Sequence, residues 1–154
     1  MTGLSEAAIA DLRERLLSGP HGRDVLKIVI FGSYAKGTAH HHSDLDILLV
    51  LNRVEQIADF LAELSIDFHA AYRVGLEPVI ATVDELFPIT SYFLRNVLSY
   101  GKEVYAVPEE DLKSEERRNL LALAEEYLEG ARMAAGNGGG GWPSTPATTP
   151  SSWG

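Results

Sequence analysis

The chain has 154 residues, 13 Lys and Arg against 22 Asp and Glu, and no cysteine, which leaves room for one compact domain with an appendage and excludes disulfides and thiolate metal sites. A formal charge of −9 argues against a general basic surface for extended nucleic acid and points to proteins or small molecules as partners. Residues 4–17 mix charges throughout, with no apolar leader, so the expected setting is the cytoplasm with no membrane partner.

The first predicted element is a helix. Ser5 caps it, Ala8, Ile9, Leu12, Leu16 and Leu17 form an apolar stripe, and Ser18-Gly19-Pro20 stops it. Residues 25–31, VLKIVIF, are rich in branched side chains and interrupted only by Lys27, which predicts a strand covered on both faces. The strand runs into Gly32-Ser33; Ser33 to Lys36 then begins a short helix that Gly37 ends. A second strand lies within SDLDILLVL, residues 43–51. Side chains alternate along a strand, so Asp44 and Asp46 point one way and Leu45 the other, with the two aspartates about 6 to 7 Å apart at the backbone.

Val54, Ile57, Leu61, Leu64, Phe68, Ala71 and Tyr72 recur at helical spacing and predict a long helix across the sheet, capped at Gly75. Residues 75–83, GLEPVIATV, read as a third strand, and Pro78 near its start implies either an edge position or an irregular beginning. Residues 89–100 read as a helix stopped by Gly101, and 103–107 as a short strand. Over 109–135, Leu112, Leu120, Leu121, Leu123, Ala124, Tyr127, Leu128, Ala131 and Met133 give one apolar side to a further helix. From residue 136 the chain turns to Gly, Pro, Ser and Thr and carries both tryptophans, the composition of a disordered tail. The domain expectation is therefore 1–106 for the compact domain, 107–135 for the C-terminal helix and 136–154 for the tail.

Two carboxylates side by side at the head of a strand repel, and a cation between them relieves the repulsion. Magnesium is the natural candidate, being held by one or two carboxylates together with substrate phosphates. Gly32 permits close backbone approach and Ser33 offers a hydroxyl and an N–H to an anion.

The segment FGSYAKGTAHHHSDLD, residues 31–46, resembles the signature of the DNA polymerase β-like nucleotidyltransferase superfamily, in its minimal nucleotidyltransferase branch: Gly-Ser, ten residues, Asp-x-Asp. The resemblance implies an α+β fold, a small mixed sheet flanked by helices. It also implies transfer of a nucleoside monophosphate, AMP from ATP, to an acceptor hydroxyl with release of pyrophosphate. Two Mg²⁺ ions would be held by Asp44, Asp46 and a third acid on a neighbouring strand. Glu77, at the entry of the third strand, is the candidate, although the family most often has Asp there; Asp67 and Asp84 stand in reserve. Gly32 and Ser33 would hold the β- and γ-phosphates, with Lys36 steadying a phosphate. His40, His41 and His42 read as a solvated loop, and His21 and His69 as ordinary surface residues.

LLALAEEYLEGARMAAGNG, residues 120–138, is similar to the opening helix of HEPN domains, all-helical modules that accompany minimal nucleotidyltransferases; the alternative is a helix packed on the domain itself. The first reading suggests a truncated fusion whose frame departs near residue 137. The leading function is an antitoxin-type enzyme that modifies a HEPN partner protein. Two others stand beside it: an aminoglycoside-like, small-molecule nucleotidyltransferase, and a catalytically silent module that binds nucleotide or a partner.

Overall fold

The computed structural model describes residues 4–137. Strands β1 (Val25–Phe31), β2 (Leu45–Leu51), β3 (Leu76–Thr82) and β4 (Lys102–Ala106) make one sheet in the order β3-β2-β1-β4. β1 runs antiparallel to β2 and β4, and β2 runs parallel to β3. The parallel pair needs a crossover, and α3 (Ile57–Tyr72) supplies it. The other α-helices are α1 (Glu6–Ser18), α2 (Gly32–Lys36), α4 (Tyr92–Tyr100) and α5 (Glu109–Asn137), with short 3-10 turns at Gly22–Asp24 and Val83–Leu86. The fold class is α+β with a mixed sheet.

The two central strands are buried on both faces. On one side Ile28, Ile47 and Leu49 pack with Leu12 and Leu16 of α1 and Phe68 of α3; on the other Val29, Leu48 and Val50 pack with Leu94 and Val97 of α4 and Leu112 of α5. Each such side chain contributes about 1.5–3 kcal/mol on burial, which anchors the strand ends that carry the acids. Lys27 is accommodated because its Nζ reaches Glu103 Oε2 on β4 at 3.0 Å. α1 begins as read, with the Ser5 hydroxyl accepting from the Ala8 N–H at 3.1 Å. β3 is an edge strand, consistent with Pro78.

Several boundaries differ from the sequence reading, among them β4, which is Lys102–Ala106 and not 103–107, and α5, which ends at Asn137 and not at residue 135. α3 ends not at Gly75 but at Arg73, which adopts the left-handed conformation (φ 60°) and donates its N–H to the His69 carbonyl at 2.8 Å. Gly75 is already engaged in the sheet, its carbonyl accepting from the Leu45 N–H at 2.8 Å. α4 begins at Tyr92 rather than residue 89, because the Ser91 hydroxyl caps it by accepting from the Leu94 N–H at 3.2 Å; Ile89 packs against the core outside the helix.

The chain divides into two compact units, the first ending at Glu116 and the second beginning at Arg117. In the first, Leu112 is buried and the Asn52 amide donates to Glu115 Oε2 at 2.9 Å. The described part of the second is the rest of α5, on which Leu120, Leu121, Leu123, Tyr127 and Leu128 are exposed. Residues 138–154, which hold all but the first two residues of the expected disordered tail, lie outside the described residues. Among the described residues no helix is long and apolar enough to cross a membrane.

Candidate functional site

The ladder between β1 and β2 ends at the pair Phe31 and Asp46. The next residue, Gly32, takes φ +69°, and a Cβ there would collide with the Asp46 carboxylate. Glycine is therefore required twice over, by its backbone conformation and by space. α2 follows and is closed by Gly37 (φ +75°), whose N–H donates to the Ser33 carbonyl. The Gly32 N–H donates to Tyr100 Oη at 2.9 Å, and Lys36 Nζ lies 4.8 Å from the centroid of the same ring.

Three acids come together beside this turn. The parallel register pairs Leu45 with Leu76 and Asp46 with Glu77. Both leucines belong to the core beneath α1 and α3, so alternation turns Asp46 and Glu77 to the opposite face. Asp44 stands one residue before β2, and a Cβ on Gly75 would lie 2.5 Å from its Oδ1. The Glu77 carboxyl is held above the usual carboxylate range, first by hydrogen bonding to Asp46, then by the charges of Asp46 and Asp44, with burial and a hydrogen bond to Asp44 adding to it. The phenol of Tyr34 is also raised, first by burial and then by the charge of Asp44. An open cleft of about 450 Å³ borders the acids and is lined by Asp44, Ser65, Ile66, His69, Gly75 and Glu77, among others.

Among the described residues no three His, Cys, Asp or Glu side chains already stand in a metal-holding arrangement. The donor chemistry nevertheless fits magnesium: Asp44, Asp46 and Glu77 are three carboxylates, all hard oxygen donors, brought to one end of the sheet, where a divalent cation would offset their mutual charge. The remaining sequence candidates lie elsewhere. Asp67 is on the exposed side of α3 beside Arg15 and Glu63. Asp84 follows β3 at the end opposite Glu77. The three loop histidines bond locally, His40 N–H to Ser43 Oγ at 2.9 Å and His42 N–H to His40 Nδ1 at 3.2 Å, with the rings of His41 and His42 3.9 Å apart.

Sequence reasoning missed Tyr100, Tyr34 and the place of Gly75 against Asp44. Gly75 had a visible signal, since it precedes a strand entry by one residue as Asp44 does. Tyr100 had none, because its partners are 64 and 68 residues away in the chain and only the fold brings them close.

The model of the nucleotidyltransferase domain matches residues 9–122. A Methanocaldococcus jannaschii protein, named as a candidate protein adenylyltransferase, is 35% identical over 102 residues, 65% of this chain and 97% of its own. A second so named from the same organism is 29% identical over 69 residues, 42% of this chain and 47% of its own. Among solved structures, a chain of a toxin–antitoxin crystal structure with AMP-PNP is 23% identical, with 85% of this chain and 94% of that one covered and a TM-score of 0.49. A chain of the complex of tri-AMPylated Shewanella oneidensis HEPN toxin with MNT antitoxin is 21% identical, with 84% and 90% covered and a TM-score of 0.42.

Proposed function

This chain belongs to the nucleotidyltransferase domain family, and from that premise we propose that it moves AMP from ATP to a hydroxyl of a protein, a HEPN-type partner. In this reading the Gly32-Ser33 turn receives the β- and γ-phosphates with Lys36 beside it. Asp44, Asp46 and Glu77 would hold Mg²⁺, which when bound neutralises phosphate charge and lowers the pKa of the acceptor hydroxyl. The acceptor oxygen attacks the α-phosphorus, the bond from phosphorus to the α,β-bridging oxygen breaks, pyrophosphate leaves, and the hydroxyl proton passes to solvent. The chain's own contribution is positioning and fixed charge.

The observation that carries this reading is the register that pairs Phe31 with Asp46 and Asp46 with Glu77, which sets the glycine turn against the acids at one end of the sheet. A protein acceptor is supported by the relative named for protein adenylylation, matched over 97% of its length. The choice of a HEPN partner rests on the likeness of residues 120–138 to a HEPN helix.

ATP labelled at the α-phosphate, with Mg²⁺, tests it in three mixtures: the chain alone, with the protein encoded by the neighbouring gene, and with aminoglycosides. Label is expected on the partner protein and is lost in Asp44→Ala and Glu77→Ala. Label on the drug would replace the proposal with the small-molecule reading, and tight ATP binding without transfer would replace it with the silent module.

A further inference from the structure

We propose that Tyr100 is a positioning residue for the nucleotide, holding the Gly32-Ser33 turn and Lys36 in the arrangement that grips a triphosphate; this rests on nucleotide binding at that turn. Tyr100 is the last residue of α4, half-buried, with its body packed against the core on the acid-bearing face of the sheet. Two contacts converge on it. Gly32 lies just past the last rung of the β1–β2 ladder, and its N–H is bonded by the tyrosine hydroxyl at 2.9 Å. The Lys36 ammonium stands over the ring at 4.8 Å from the centroid, within reach of a cation–π attraction.

One side chain therefore fixes both the main chain and the cation of the cradle. Lys36 is otherwise an exposed, flexible side chain, and a preferred resting place beside the turn reduces the ordering it must undergo when phosphate arrives. The Gly32 backbone leaves no room for a Cβ beside the Asp46 carboxylate, so a turn that drifts also changes its distance from the acids. Tyrosine serves both contacts because it joins a hydrogen-bonding tip to a π face; phenylalanine keeps only the face, and leucine neither. α4 itself is anchored by buried Leu94 and Val97 and by Phe93, edge-on to Phe31 at 5.6 Å, so these substitutions leave the helix in place.

Affinity for the α,β-methylene analogue of ATP with Mg²⁺, measured by calorimetry on the full chain, tests the assignment. Tyr100→Phe is expected to weaken binding about five-fold, the loss of one neutral hydrogen bond, and Tyr100→Leu about ten- to thirty-fold. Lys36→Ala adds less in the Tyr100→Leu background than alone, because the lysine has already lost its resting place. In AMP transfer the KM for ATP rises in step while the KM for the acceptor stays, and the thermal midpoint without nucleotide falls in Tyr100→Phe by no more than about 4 °C, the loss of one intramolecular hydrogen bond. Wild-type affinity in both tyrosine variants overturns the proposal, as does a loss matched by the acceptor KM and the thermal midpoint. Failure of the wild-type chain to bind the analogue overturns the nucleotide-site reading itself.

Discussion

Gly75→Ala separates the position of a carboxylate from its presence. Gly75 has no left-handed backbone requirement, the positive-φ glycines among the described residues being Gly32 and Gly37, so alanine enters without backbone strain. Its Cβ, however, would lie 2.5 Å from Asp44 Oδ1 and 3.2 Å from Cγ; ordinary contact begins at 3.4 Å, so the oxygen must withdraw by about 0.9 Å. Asp44 is exposed, and its carboxylate swings toward solvent at a stability cost of about 0.5 kcal/mol or less. For positioning chemistry a shift of about 1 Å costs on the order of 100-fold in rate. The assay is AMP transfer from labelled ATP at saturating Mg²⁺, run beside thermal unfolding. The expected outcome is a loss of about 30- to 100-fold in kcat with the midpoint lowered by no more than about 4 °C. Transfer at the wild-type rate, or a loss no greater than the change in folded population explains, would refute the reasoning.

Glu77 sets a pH dependence in metal-free buffer. Its pKa in the folded protein is raised above 4.5, so the folded state binds more protons than the unfolded chain, and stability falls as pH rises from 4.5 through the folded value. Glu77→Gln flattens that decline in urea titrations across the window; an identical profile in the variant would show that the acids do not interact. Phe68, fully buried between α3 and the sheet, loses about 3–5 kcal/mol on Phe68→Ala, read by the same titrations; a cost under about 1 kcal/mol would contradict the packing. Replacing His40, His41 and His42 together by alanine is expected to leave transfer within about two-fold, since their rings contact one another in an exposed loop and the bonds to Ser43 run through the His40 backbone, which alanine keeps. A ten-fold loss would instead bring them into the site.

The family resemblance carried by residues 31–46 is borne out by the domain match. β1 and the body of β2 were legible because strands buried on both faces read as unbroken apolar runs, and the edge position of β3 was one of the two readings that Pro78 allowed, because proline cannot serve a central ladder. The end of α3 was misread at Gly75 because glycine is the cheapest left-handed residue, yet that glycine was committed to the sheet and to Asp44, so Arg73 took the strained cap. Sequence alone thus determined what depends on neighbours a few residues apart: strand alternation that sends Asp44 and Asp46 one way, the glycine turn, and the Ser5 cap of α1. Tertiary structure decided what depends on register between distant segments: Asp46 level with Glu77, Gly75 against Asp44, and Tyr100 beneath Lys36. The reason is that a pairing between segments is selected by how the whole core packs, and no local stretch of residues encodes that choice.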